Sequence, residues 1–223
     1  MRQEYLDKIA EAELVLVGIG AEFESQKFQR EDRTIEALQE LSRILEGKNY
    51  YVITTCTNSI LSYGGFAKER IVSPCGTMEK KQCPKHCEGS LQLLTEAEQV
   101  QLMQAIEAKQ EPRLGVCACC GEKLVLNNVY AENYDEDGYL ESWGRYTKWL
   151  QGTLNKRLCI LELGVNLSFP SIIRWPFEKI GFYNQKAVFV RVNETLYYLS
   201  EELKDKGISI EKNAIDWILD KEI

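Results

Sequence analysis

Two close pairs of cysteines constrain this chain more than any other feature. Cys83 and Cys87 stand in Cys-Pro-Lys-His-Cys, and Cys117 and Cys120 in Cys-Ala-Cys-Cys-Gly. Each pair can aim two thiolates at one metal, and together they make a closed, tetrahedral four-sulfur zinc site of the structural type. Cys119 lies between ligands and can replace Cys117, although the two-residue spacer of Cys117 and Cys120 suits a zinc knuckle better. His86, the single histidine, sits inside the first knuckle and reads as a solvated loop residue before it reads as a ligand. In a reducing compartment the eight cysteines are better explained as metal ligands, core residues and reactive thiols than as disulfides.

Around this insertion the chain alternates apolar runs with helical periodicity. Leu14–Val17, Tyr50–Thr54, Leu158–Leu163 and Ala187–Val192 are short apolar runs of the kind that form buried parallel strands. Arg70–Ser73 is a shorter candidate. Ile35, Leu38, Leu41, Ile44 and Leu45 recur at helical spacing, and Gly47 stands where such a helix stops. Thr95 with Glu98 fits a capping box, with Leu102, Met103 and Ile106 as the apolar face that follows. Ser142–Leu154 reads as a helix with Trp143, Tyr146, Trp149 and Leu150 toward the core. A helix is expected after Pro170, disturbed at Pro176, and a short one over Asn213–Leu219. Strands alternating with helices predict an α/β fold, a Rossmann-like parallel sheet covered on both faces, with a small inserted zinc-ribbon module. The predicted division is 1–79 with 127–223 for the main domain and 80–126 for the module.

Composition limits the function classes. The 223 residues suffice for one sizeable core with a small satellite, and 44% hydrophobic with 27% charged is a globular balance. A formal charge of −7 without a basic stripe argues against a nucleic-acid partner. No apolar run is long enough to span a bilayer, and residues 1–12 lack the apolar core of a signal peptide. The expectation is a cytoplasmic protein with no membrane partner.

In a doubly covered parallel sheet, ligands bind at the carboxyl ends of the strands. The loops to inspect are Gly18–Phe23, Thr54–Asn58, Gly164–Ser168 and Asn193–Glu194. Gly18-Ile19-Gly20 after an apolar strand is a weak phosphate-loop signal, and a plain turn explains it equally well. Phe23 stands where a third glycine would be expected. Glu22 opposes a phosphate unless it points away or meets a cation.

Taken in order, these landmarks resemble those of the sirtuin family. The strand ending in Gly18-Ile19-Gly20, the strand followed by Thr54-Thr55-Cys56-Thr57-Asn58, the Cys75-Gly76 turn, the two cysteine pairs, Gly164-Val165-Asn166-Leu167 and the strand ending in Asn193 match the family's sequence of motifs from Leu14 to Glu194. Tyr51–Thr55 and Leu161–Val165 look most like the macrodomain-linked bacterial branch, which is associated with protein ADP-ribosylation more than with deacylation. The resemblance implies NAD or ADP-ribose held by Gly18, Gly20, Ala21, Glu22, Gly164, Val165, Asn166, Asn193 and Glu194, and an acceptor or partner protein approaching near Cys75.

The departures fall on the chemical positions. Cys75 occupies the place of the family's catalytic histidine, which in the macrodomain-linked branch is usually an amide. Cys56 and Asn58 stand where the family has the asparagine and aspartate that orient water and nicotinamide, and Glu22 stands for a serine. The stretch from Gly18 to Thr54 is short, so most of the lid over nicotinamide is expected to be missing. The leading expectation is a degenerate NAD or ADP-ribose binder with little autonomous deacylase activity. The alternatives are an active NAD-dependent ADP-ribosyltransferase or deacylase, and a zinc-stabilised interaction module without nucleotide.

Overall fold

The computed structural model describes residues 2–24 and 32–220. Its centre is a six-stranded parallel sheet built from β1 (Leu14–Ile19), β2 (Asn49–Thr54), β3 (Ile71–Val72), β7 (Leu158–Leu163), β8 (Val188–Asn193) and β9 (Gly207–Glu211). Their spatial order is β3-β2-β1-β7-β8-β9, and every neighbouring pair runs parallel. Counted along the chain within this sheet, that is the 3-2-1-4-5-6 order of the Rossmann fold.

The strand pleat explains why the runs are apolar throughout. Val15, Val17 and Ile19 of β1 face a core shared with α1 (Arg2–Glu11), α2 (Asp32–Ile44) and α6 (Ala214–Leu219). Leu14 and Leu16 face the opposite core, shared with α4 (Asp137–Gln151) and α5 (Arg174–Tyr183). Both faces of β1 and β7 are therefore covered, and neither strand can alternate apolar with polar residues. α2 ends ahead of Gly47, whose φ of +72° lets the chain reverse into β2 without strain. Asn213 caps α6 by accepting from the N–H groups of Ile215 and Asp216.

The second body is a three-stranded antiparallel sheet of order β5-β4-β6, with β4 at Gly76–Gln82, β5 at Gln92–Leu93 and β6 at Val125–Asn128. α3 (Glu96–Glu107) packs on it through Leu102 and Ile106, against Met78, Leu94 and Leu114. The capping box of Thr95 and Glu98 forms in both directions. β4 starts at Gly76 and β6 ends at Asn128, so this sheet reaches a few residues beyond 80–126 at each end.

Some local expectations give way. Met103 is 36% exposed because the apolar face of α3 is narrow. Pro176 does not disturb α5: it stands in the first turn, where a missing N–H removes no helical bond. α4 begins at Asp137, ahead of the helix expected from Ser142, and Tyr146 is its buried aromatic. Gly18 is not part of the turn. It is the fifth residue of β1, and a Cβ there would lie 2.5 Å from Ile173 and 2.8 Å from Phe177, so its role is close packing under α5.

Candidate functional site

β1 and β7 lie side by side, and the chain builds outward from them toward opposite edges. Their carboxyl ends therefore form the topological switch point, where a crevice opens in sheets of this order. The turn after β1 starts at Gly20, whose N–H donates to Leu163 O at 2.9 Å. A Cβ on Gly20 would fall 2.4 Å from Val165 Cα, so the loops after β1 and β7 touch main chain to main chain. Gly164 has φ +62°, and a Cβ there would meet Glu22 Cβ at 2.6 Å. Two bare glycines thus let both loops cross at the strand ends.

Three side chains fix this crossing. Glu22 turns away from open solvent and accepts from the backbone N–H of Glu194 at 2.8 Å and of Ala214 at 2.6 Å. Half-burial raises its carboxyl above the ordinary value, and the two backbone donors only partly offset that. Asn193 donates from Nδ2 to Val165 O at 3.0 Å and accepts from the N–H groups of Thr195 and Leu196. Its side chain is thereby committed to holding the loops after β7 and β8 together. Asn166 is half-buried and accepts from Ser168 N–H at 3.0 Å. Ala21 is half-buried in the short turn that follows Gly20, Glu194 is exposed, and Phe23 is buried in the core.

Beneath these loops lies a charged network that the apolar pattern concealed. Glu162 and Arg191 are register partners on β7 and β8, each 1% exposed, joined by two hydrogen bonds of 2.8 and 3.0 Å. Arg191 also donates to Glu178 at 2.7 Å. Arg174 donates to Val165 O at 2.9 Å and to Leu196 O at 3.1 Å, tying the same two loops from below. Its Nε lies 3.3 Å from Glu162 without hydrogen-bond alignment. The signal was present in the sequence, since Leu161-Glu162-Leu163 and Val190-Arg191-Val192 each place one charge inside a strand that must be buried.

The loop after β2 brings Cys56, Thr57 and Asn58 against the end of the first loop. Cys56 Sγ lies 3.2 Å from Gly20 O, as a thiol donor would. Asn58 donates from Nδ2 to Phe23 O at 3.5 Å and accepts from Ile60 N–H. Glu24, which motif reading passed over, accepts through Oε1 from both the N–H and the hydroxyl of Thr57, at 2.8 and 2.5 Å. Cys75 is fully buried in the turn before β4, where Gly76 has φ +78° and no room for a Cβ beside Asn127 O. Burial pushes both the Cys56 and the Cys75 thiol up to about 12, and the Glu24 charge acts in the same direction on each. At pH 7 that leaves on the order of one thiolate in 10⁵. On the other side of Cys56 lies a cavity of about 250 Å³ between the two sheets, lined also by Ser59, Thr77, Tyr139 and Ser142. The shortened lid falls largely on residues 25–31, outside the described residues.

The cysteine cluster is a separate centre. The sulfurs of Cys83, Cys87, Cys117 and Cys120 all lie within 4.8 Å of one another, and Cys83 and Cys120 are 3.5 Å apart. A tetrahedral zinc with ~2.3 Å bonds requires sulfurs about 3.8 Å apart, so the four donors fit one ion. Left-handed turns at His86, Gly89 and Gly121 fold the chain around the sulfurs. The backbone N–H groups of Cys120 and Cys119 lower the Cys117 thiol to about 7, while the neighbouring sulfurs and burial raise the thiols of Cys87 and Cys120. Cys119 itself is exposed and lies outside this group, and His86 Nε2 meets Asn133 O instead.

Comparison with solved structures gives this architecture its place. A sirtuin studied for substrate affinity superposes with a TM-score of 0.60 at 15% identity, covering 98% of this chain and 95% of its own. A Sir2 structure with a p53 peptide and NAD+ gives 0.59 at 15% identity, with the same coverage. This chain has a sirtuin fold. Among curated proteins, a protein ADP-ribosyltransferase of Staphylococcus aureus is 21% identical over 176 residues, 76% of this chain and 55% of that protein. A probable bifunctional ADP-ribose hydrolase/ADP-ribosyltransferase of Fusarium oxysporum f. sp. cubense is 26% identical over 142 residues, 60% of this chain and 24% of that protein. The sirtuin-like chain thus spans about half or less of the length of these relatives. No family profile matches it. No helix among the described residues is long and apolar enough to cross a membrane.

Proposed function

We propose that this chain is a sirtuin-like protein that holds an NAD-type dinucleotide, NAD or ADP-ribose, across the carboxyl ends of β1, β7 and β8, with little deacylase activity of its own. The observation that carries this reading is the glycine crossing at the switch point. Gly20 packs on the Val165 main chain and Gly164 on the Glu22 side chain, so the loops after β1 and β7 close tightly on each other at the strand ends, where ligands bind in sheets of this order. Ala21, Val165 and Asn166 would complete the contact. Asn193, Glu194 and Arg174 hold the two loops in place.

When bound, NAD supplies a ribosyl group activated by a cationic leaving group. The residues on this chain are poorly suited to move the proton that deacylation requires. Cys75 cannot accept one near neutral pH with its thiol at about 12. The Cys56 thiol is occupied with Gly20 O, and Asn58 carries no charge. The names of the curated relatives support ADP-ribose chemistry over acyl chemistry, as does the resemblance to the macrodomain-linked branch. One observation favours the second reading, an active ADP-ribosyltransferase: the Glu24 carboxylate stands beside the cysteine positions that lack a charge. An acceptor or partner protein would approach on the Cys75 side.

The cysteine cluster is read as a structural zinc site that closes the antiparallel module, with no open ligand position. Calorimetric titration with ADP-ribose and NAD tests the nucleotide reading. Saturable binding of both, with negligible nicotinamide release over the titration, is expected. Absence of binding by either would leave the zinc-stabilised interaction module as the function.

A further inference from the structure

A site for NAD must distinguish the two ends of its ligand, and the Cys56–Cys75 corner lacks the charge that the aspartate of the resembled motif would carry. The structure supplies a carboxylate there from a different loop. Glu24 ends the first loop, and its Oε1 is anchored by both donors of Thr57, immediately after Cys56. The first loop is held to the second by two further contacts, Cys56 Sγ with Gly20 O and Asn58 Nδ2 with Phe23 O. Glu24 is therefore fixed in direction by the same clamp that positions Cys56 and Asn58.

Its charge reaches the whole corner. Glu24 is the one charged side chain among the groups that raise the Cys75 thiol, and it also contributes at Cys56 and at the Tyr130 phenol. Both thiols are neutral at pH 7, so the corner carries the Glu24 charge without an opposing cation among these groups. Oε2 makes no hydrogen bond to any described residue. At the far side of the crevice, by contrast, Glu22 is spent on the N–H groups of Glu194 and Ala214.

We propose that Glu24 is the cation-recognising residue of this site, and that it pairs with the positively charged pyridinium ring of NAD+ through its free carboxylate oxygen. The proposal rests on the nucleotide reading above, with nicotinamide on the Cys56–Asn58 side as the resemblance implies, and adds Glu24 as the residue that meets its charge. It also gives the site a preference for the oxidised over the reduced dinucleotide, because the dihydronicotinamide ring of NADH is neutral. A partly solvated pair of this kind is worth about 3- to 10-fold in affinity.

The experiment is calorimetric titration of the full chain and of Glu24→Gln with NAD+, NADH and ADP-ribose. Glutamine keeps the oxygen that accepts from Thr57, so the clamp survives, and an unchanged melting temperature confirms it. The full chain is expected to bind NAD+ about 3- to 10-fold more tightly than NADH. In Glu24→Gln that ratio should fall to near one while ADP-ribose affinity stays within about twofold, since no cation is lost from that ligand. Thr57→Val, which removes one of the two anchoring donors, should lower the ratio part of the way. An equal affinity for NAD+ and NADH in the full chain, or a preference that persists in Glu24→Gln, would overturn the assignment while leaving nucleotide binding intact. Failure of all three ligands to bind would overturn both.

Discussion

Glu22→Ser should lower stability and raise affinity for ADP-ribose, two effects of opposite sign from one side chain. Glu22 spans Glu194 N–H at 2.8 Å and Ala214 N–H at 2.6 Å, so it joins the first loop to the end of β8 and the start of α6. A hydrogen bond to a charged acceptor contributes about 1.5–3 kcal/mol where water is excluded. These bonds are part-exposed, water can replace the carboxylate, and its own desolvation cost disappears with it. The net loss should be about 1–2 kcal/mol, or roughly 2–8 °C in melting temperature for a chain of this size. The same change removes a negative charge beside the glycine crossing and frees two N–H donors, so ADP-ribose should bind about 3- to 10-fold more tightly. Thermal melts with and without ADP-ribose read both effects at once. Glu22 has a raised carboxyl, so the folded state binds its proton more readily than the unfolded chain. Its contribution to stability is therefore greatest below the ordinary carboxylate value and declines as pH rises through the raised one. ADP-ribose affinity of the unaltered chain should strengthen as pH falls through that window, because protonation cancels the repulsion, and this dependence should vanish in Glu22→Ser. An unchanged melting temperature, or weaker binding at every pH, would refute the reasoning.

Elemental analysis should find one zinc per chain, and Cys120→Ser should lose it and destabilise the antiparallel module. Full metal retention in that variant would mean that Cys119 takes over. Incubation with NAD and acetylated protein should release negligible nicotinamide, both before and after Cys75→Ala. Rapid release that disappears in the variant would make Cys75 catalytic. Glu162→Ala should cost about 3–5 kcal/mol in chemical denaturation, because it removes the two hydrogen bonds of the buried Arg191 to β7 and leaves it Glu178 as its carboxylate partner. A cost below about 1 kcal/mol would mean that water or Glu178 compensates.

The parallel sheet was legible because its central strands are buried on both faces, so β1 and β7 appear as unbroken apolar runs. The edge strand β9, Gly207–Glu211, was not, because its residues are half-exposed to exposed and its partner β8 lies on one side only. The antiparallel strands were masked by the short, irregular pairing around the cysteines, including a register shift between Gly76 and Lys81. At the switch point, sequence order located Gly20 and Gly164, but it could not separate a loop glycine from a packing one. Gly18 differs from Gly20 only in what lies across from it, Ile173 and Phe177 in one case and the Val165 backbone in the other. Glu22 drew notice as a misplaced charge, yet its partners are more than 170 residues away in sequence. Glu24 carried no motif at all. Its significance depends on Thr57, which only the crossing of two loops brings near it.

The most direct test of the account is an experimental structure of the chain with ADP-ribose. The account predicts the ligand across the carboxyl ends of β1, β7 and β8, with its diphosphate over Gly20 and its adenosine against Gly164–Asn166. A ligand seated instead in the cavity between the two sheets, beside Ser59 and Tyr139, would contradict it.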